Sequence, residues 1–158
     1  FVLGRAVLVA APAGLLIWLL GNLTVGGTPL LTACARFLEP VGALMGLDGM
    51  ILLAFVLGFP ANEIVIPILL MGYLSTGTLT AYTGLAELKL LLVQNGWTWE
   101  TALCVTVFTL FHFPCGTTSA TIYRETGSVK WTALAVALPT LTGFLLCTAV
   151  HLSVCLWQ

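Results

Sequence analysis

Charged residues are scarce in this sequence, and their scarcity excludes several classes of protein. Asp, Glu, Lys and Arg make up only 7% of the 158 residues, whereas soluble globular domains contain about a quarter. The five basic residues occur singly, so the chain offers no basic surface that could follow a nucleic-acid backbone. With 59% hydrophobic residues and a mean hydropathy of +1.10, the chain is expected to lie in a lipid bilayer.

Several motifs are absent as well. The sequence contains no GxxxxGK[ST] motif, so we expect no nucleotide or other cofactor to bind within this chain. The five cysteines include no CxxC pair, and four of them lie in apolar runs, which argues against a disulfide framework. The first residues show no signal-peptide pattern, and a chain that begins at Phe1 is expected to be a piece of a longer protein.

Long apolar runs dominate what is present and predict an all-α, polytopic helical membrane protein, a single module over residues 1–158. The runs at 6–22 and 131–157 are predicted to span the membrane, the second between the interface anchors Trp131 and Trp157. The intervening segments are predicted to be an interfacial segment (24–47), a polar loop (75–84) and a short amphipathic helix (85–94).

Prolines interrupt the two remaining apolar runs, 49–74 and 99–123. Pro60 and Pro67 are predicted to break the first run and Pro114 the second, because proline lacks an amide hydrogen and clashes with the preceding turn. A broken helix at membrane depth exposes free carbonyls and half-helix ends that can coordinate a cation. The charges of the flanking loops leave two paths open for the second run, which either crosses the membrane or re-enters it.

Four side chains near the breaks are candidate ion ligands. Glu63 lies well inside an apolar run, where a carboxylate is costly and usually faces an ion path, and Asn62 precedes it. His112 and Cys115 flank Pro114, and imidazole and thiolate are ligands that suit Fe(II). The competing interpretations are that Glu63 hydrogen-bonds between helices and that Cys115 is an inert buried residue.

The last apolar run carries a second candidate metal set, Cys147, His151 and Cys155. These residues are four apart and therefore share one stripe of a helix. Simple packing is the favoured interpretation of this stripe. Cys34 and Cys104 are interpreted as packing residues.

Six stretches of the sequence together carry a family resemblance. They are GRAVLVAAPAGLLIW (4–18), GFPANEIVIPILL (58–70), NGWTWETALC (95–104), LFHFPCGTT (110–118), ETGSVKWT (125–132) and LPTLTG (138–143). In combination they resemble the ferrous iron transport protein B family, and the resemblance covers nearly the whole chain.

The resemblance implies that this chain is the C-terminal part of a membrane domain with two Gate repeats. The first Gate repeat and a cytoplasmic GTP-binding domain, with its GTP and Mg, are not in the chain. The family's second Gate motif, His-Trp-Pro-Cys-Ser-Thr-Thr, falls on residues 112–118. Cys115 thereby acquires a pore role, with Thr117 and Thr118 as hydroxyl groups behind it. Phe113 and Gly116 depart from the motif, and Gly116 removes one oxygen ligand.

The expected function is therefore a share in the Fe(II) pathway of a transporter in the bacterial inner membrane. The contacts with the ion should be weak enough to permit release. Expected partners are the bilayer, Fe(II), the missing transport half and the GTP-binding domain, while a homo-oligomer is left open. Two alternatives remain: an intramembrane enzyme with Cys115 as nucleophile and His112 as base, and a regulatory or assembly module. The sequence does not decide whether Glu63 and Cys115 converge.

Overall fold

The computed structural model describes residues 2–74 and 84–157, and these residues are almost entirely helical. The helices are α1 (Val2–Asn22), α2 (Leu30–Leu44), α3 (Gly49–Leu57), α4 (Val65–Leu74), α5 (Leu85–Gln94), α6 (Trp99–Phe111), α7 (Gly116–Thr126) and α8 (Val129–Trp157). Strands β1 (Thr24–Val25) and β2 (Thr28–Pro29) form a small antiparallel hairpin between α1 and α2. The all-α prediction is confirmed. The predicted loop 75–84 lies outside the described residues except for Gly84.

Two segments of the described chain are long and apolar enough to cross a membrane. They are Trp99–Thr126, counted through its break, and Val129–Trp157. Helices α2 and α3 form a third candidate if they are taken as one span bent by 109°. The predicted span 6–22 is helical, but its described apolar part, Ala11–Asn22, is shorter than a full span.

Helix α3 forms the interior of the module. Eight of its nine residues are buried, which fits a helix that is apolar on every side. It packs between α2 and α4. At its start, a Cβ on Gly49 would overlap the Ala35 carbonyl of α2, so glycine allows the two backbones to approach closely. The first half of the interrupted run 49–74 is therefore surrounded by protein.

Polar contacts hold the start of α3 and the start of α6. Asp48 Oδ1 accepts a hydrogen bond from Ile51 N–H at 2.6 Å, and Thr98 Oγ1 accepts from Thr101 N–H at 3.2 Å. Both residues cap their helices, the usual role of Asp and Thr immediately before a first helical residue. The second Asp48 oxygen accepts from the Tyr73 hydroxyl, which in turn accepts from Trp97 Nε1–H at 2.9 Å. This chain of contacts ties the start of α3 to the end of α4 and to the segment before α6.

Helix α8 lies against both halves of the second interrupted run, α6 and α7. Gly143 lies in close contact with α6, because a Cβ there would be 3.1 Å from the Phe111 Cβ, which is tighter than ordinary van der Waals contact. Further along the same seam, Cys147 Sγ donates to the Cys104 carbonyl at 3.3 Å. Because a single uninterrupted helix accompanies both halves, the run continues past its break instead of turning back. This geometry favours a crossing over a re-entrant loop.

Candidate ion site at the helix breaks

The first break lies between α3 and α4 and is a single interruption. Helix α3 ends at Leu57, just ahead of Pro60, as predicted. A 3-10 turn at Asn62–Ile64 then leads directly into α4. The prediction of a second break at Pro67 is wrong, because Pro67 is the third residue of α4. A proline in the first helical turn removes no intrahelical hydrogen bond, so this residue starts a helix instead of breaking one.

The second break lies between α6 and α7. Helix α6 ends at Phe111, and His112 and Cys115 both have extended backbone before α7 begins at Gly116. Pro114 lies within this extended segment, so the predicted interruption is confirmed. Broken backbone of this kind leaves amide and carbonyl groups that need partners from elsewhere.

The two breaks touch each other through the backbone. The Gly116 N–H donates to the Phe59 carbonyl oxygen at 2.7 Å. The amide belongs to the first turn of α7, which has no intrahelical acceptor, and the carbonyl lies in the turn that follows α3. Each break therefore satisfies a group that the other leaves unpaired. The rings of Phe59 and Phe113 add an apolar contact, with their centroids 5.6 Å apart.

Gly116 is the residue that allows this approach. A Cβ at this position would be 3.1 Å from the Phe59 Cε1 atom and 3.6 Å from the Phe59 carbonyl oxygen. The first distance is tighter than ordinary van der Waals contact, so any side chain would press against the Phe59 ring. The sequence indicated only that Gly116 removes a hydroxyl, whereas the structure places it at the junction of the two breaks.

His112 directs one ring nitrogen into the protein without a partner. Its Nδ1 lies 2.8 Å from the Thr109 carbonyl oxygen, which makes Nδ1 the protonated nitrogen and Nε2 a free acceptor. Nε2 is buried and has no hydrogen-bond partner among residues 2–74 and 84–157. The rings of Phe55 and Phe113 surround it, with centroids 5.3 and 5.4 Å from the imidazole. Histidines that bind metals typically donate their other ring N–H to a carbonyl in this way.

Cys115 directly precedes the first residue of α7, and its side chain lies among hydroxyl groups. Its sulfur is 3.1 Å from Thr117 Oγ1 and 3.1 Å from Thr118 Oγ1. Both hydroxyls can donate to a thiolate, and the amide end of α7 is electrostatically favourable for a negative charge. The structure thus brings Thr117 and Thr118 to Cys115, the arrangement that the family motif implies.

Glu63 and Asn62 lie in the 3-10 turn of the first break and are both exposed. No three His, Cys, Asp or Glu side chains of the described residues come together in a group that could hold a metal ion. Glu63, His112 and Cys115 therefore do not form a fixed three-ligand centre in this chain. Roles for Glu63 and Asn62 as transient ligands stay predictions.

The stripe on α8 separates into two different environments. Cys147 is fully buried where α8 packs against α6, and its thiol donates a hydrogen bond to the Cys104 carbonyl. His151 instead contacts Glu100 of α6, with Nδ1 and Oε1 2.6 Å apart, and its Nε2 lies 3.8 Å from Cys155 Sγ. Sequence reasoning missed Glu100, because nothing in the sequence connects a residue in the first turn of α6 with one 51 positions later.

The geometry offers little support for a cysteine enzyme. The hydrogen bonds found for Cys115 lead to threonine hydroxyls, and that of His112 Nδ1 leads to a backbone carbonyl. A Cys–His nucleophile would require a hydrogen bond between the two side chains.

Comparisons with known proteins agree with the resemblance inferred from the motifs. The model of the Gate family, described as nucleoside recognition, matches residues 3–129. The chain is 38% identical over 89 residues to the Fe(2+) transporter FeoB of Staphylococcus aureus (strain COL), covering 56% of this chain and 12% of that protein. It is 27% identical over 135 residues to the Fe(2+) transporter FeoB of Synechocystis sp., covering 82% of this chain and 20% of that protein. No solved structure matches the chain significantly.

Proposed function

Because this chain belongs to the Gate family and is a membrane protein with Fe(2+) transporters among its relatives, we propose that it forms part of a Fe(II) pathway. The matched part spans only 12% to 20% of those relatives, so the transport activity belongs to a longer protein. In that protein the chain supplies the segment around the two helix breaks.

One observation carries the proposal: a buried imidazole nitrogen without a partner lies beside the junction of the two breaks. Leaving a buried polar atom unpaired costs about 1–3 kcal/mol, so the position of His112 Nε2 is expensive unless a ligand occupies it at some stage. Three residues further on, the extended segment reaches Cys115 and its threonine hydroxyls. Imidazole and thiolate together favour a borderline divalent ion such as Fe(II) over Mg(II) or Ca(II).

The ion passes the junction by brief contacts with His112 and Cys115, and Glu63 with Asn62 attracts it from the first break. Weak binding at several positions permits release, as in other conduction pathways. In the longer protein, we place the pathway in the bacterial inner membrane, together with the second transport half. Coupling to a cytoplasmic GTP-binding domain supplies the energy.

The test is Fe(II) uptake by cells that express the full-length protein with single substitutions. His112→Asn keeps a donor for the Thr109 carbonyl but removes the atom at the position of Nε2, and Cys115→Ser removes the soft ligand. We expect each variant to lower the rate of uptake about tenfold or more, the size of effect common for residues that act on a bound metal.

Cys34→Ser is the matched control, because Cys34 is a half-buried cysteine of α2 outside both breaks, and it should transport at the unsubstituted rate. Membrane abundance and melting temperature of each variant are measured in parallel. Uptake within twofold of the unsubstituted protein, in variants that are folded and present at equal abundance, would contradict the proposal.

A further inference from the structure

The C-terminal end of α8, away from the second break, carries a second set of potential metal-binding side chains. His151 and Cys155 are one helical turn apart on α8, and His151 Nε2 lies 3.8 Å from Cys155 Sγ. Bonds of about 2.0–2.1 Å to nitrogen and about 2.3 Å to sulfur would span this distance with an N–metal–S angle of about 120°. The two ligands are therefore already spaced for one ion.

Glu100 holds the imidazole in the orientation that such a site needs. Its Oε1 lies 2.6 Å from His151 Nδ1, and the two side chains are only 16% and 29% exposed. A carboxylate at this position keeps the proton on Nδ1 and directs the Nε2 lone pair towards Cys155. The contact fixes the histidine across two helices, since Glu100 belongs to α6 and His151 to α8.

Gly46, which follows α2, packs against the contact between Glu100 and His151. A Cβ on Gly46 would be 2.9 Å from Glu100 Oε1 and 3.2 Å from His151 Nδ1, so this glycine leaves room for the carboxylate and the imidazole. Its φ angle of +68° is one that glycine adopts without strain. The other half of the site stays open, because Cys155 is exposed.

The position along the helices places this set at one face of the membrane. Glu100 follows Trp99, and Trp99 lies beside Trp157 in one surface cavity, so two interface anchors accompany it. Along α8, Gly143 contacts the residue that precedes the second break, and His151 is about 12 Å further along the helix. The set is thus separate from His112 and Cys115.

We propose that His151 and Cys155 bind one borderline divalent transition-metal ion at this membrane face, with Glu100 positioning the histidine and water completing the coordination. Binding replaces two water ligands of the hydrated ion with His151 Nε2 and Cys155 Sγ, and the thiol proton of Cys155 passes to water, so each ion displaces one proton. Two protein ligands give weak binding, which suits a site where an ion waits before or after crossing. Cys147, the third residue of the stripe, is not a ligand because its sulfur faces α6.

The experiment measures how Cd²⁺ affects maleimide modification of Cys155 in the full-length protein, purified in detergent, with peptide-resolved mass spectrometry. Cd²⁺ should slow modification of Cys155 about tenfold or more, and Mg²⁺ should not, because thiolate and imidazole select the softer ion. His151→Ala should abolish the protection. Glu100→Gln should keep it but raise the Cd²⁺ concentration required by about tenfold, the usual effect of losing a partner that orients a metal-binding histidine.

Two controls separate this site from the pathway at the breaks. His112→Asn and Cys115→Ser should leave the protection of Cys155 unchanged, even if they abolish Fe(II) uptake. Direct Cd²⁺ binding to Cys155→Ser provides a second measurement, since this exposed residue should tolerate substitution and the variant should bind one ion fewer. Equal modification rates with and without saturating Cd²⁺, or equal protection in His151→Ala, would overturn the proposal.

Discussion

Gly116 and His112 show how single residues decide what the second break can do. Gly116 lets the start of α7 approach the first break closely enough for its amide to reach the Phe59 carbonyl at 2.7 Å. His112 donates from Nδ1 to the Thr109 carbonyl and leaves Nε2 without a hydrogen-bond partner. Gly116 therefore allows the two breaks to meet, and His112 places an unpaired imidazole nitrogen beside their contact.

Gly116→Val should lower the stability of the protein. The added side chain would press on the Phe59 ring and lengthen the hydrogen bond between the breaks, and overpacking of this kind costs about 1–3 kcal/mol. The measurement is the thermal unfolding midpoint of the detergent-purified protein. Gly14→Val is the matched control, because nothing lies within 4 Å of a Cβ at Gly14. An equal shift for both variants would refute the proposed role of Gly116.

At the scale of the helices, two N-terminal caps differ in what they connect. Asp48 caps α3 and also accepts a hydrogen bond from Tyr73 at the end of α4, so a single carboxylate joins both sides of the first interrupted run. Thr98 caps α6, and within residues 2–74 and 84–157 its side-chain hydrogen bonds stay inside the first turn of that helix. An N-terminal cap therefore connects two helices in the case of Asp48 and stabilises only its own helix in the case of Thr98.

Asp48→Ala should therefore destabilise the protein more than Thr98→Ala. Loss of a cap costs about 1 kcal/mol, and Asp48→Ala also removes the acceptor of the Tyr73 hydroxyl, for a total of about 2–3 kcal/mol. Asp48→Asn keeps an oxygen for the cap and should fall between the two. Chemical unfolding followed by tryptophan fluorescence would measure the differences. Equal losses for the two alanine variants would show that the contact with Tyr73 contributes nothing.

At the scale of the whole molecule, α8 fixes the path of the second interrupted run. The two halves of that run, α6 and α7, pack along one uninterrupted helix. The segment before α6 and the turn after α7 therefore lie at opposite ends of the module. A crossing also places Lys89 on the other side of the membrane from Arg124 and Lys130, against the usual distribution of positive charge.

Cysteines introduced at the two ends should be labelled from opposite sides of the membrane. Gln94→Cys precedes α6, Glu125→Cys lies at the end of α7, and both native residues are exposed. A membrane-impermeant maleimide should modify one variant in right-side-out vesicles and the other in inside-out vesicles. Detergent-opened vesicles supply the control for reactivity. Modification of both from the same side would establish a re-entrant loop.

The sequence by itself determined the all-α class and most helix ends, because apolar length, caps and prolines act locally. Pro60 and Pro114 interrupt their runs as predicted, and Asp48 and Thr98 cap helices as these residue types commonly do. Pro67 was misread because the effect of proline depends on whether it falls in the first turn or the interior of a helix. That difference depends on where the helix begins, which the surrounding fold decides.

The tertiary structure alone decided which distant groups meet. The contact between Gly116 and Phe59 joins residues 57 positions apart, and that between Glu100 and His151 joins residues 51 positions apart. Local pattern carries no information on such pairs, because packing of whole helices brings them together. The sequence supplied His112, Cys115, His151 and Cys155 as candidate ligands, and the fold determined which of their atoms are paired and which remain free.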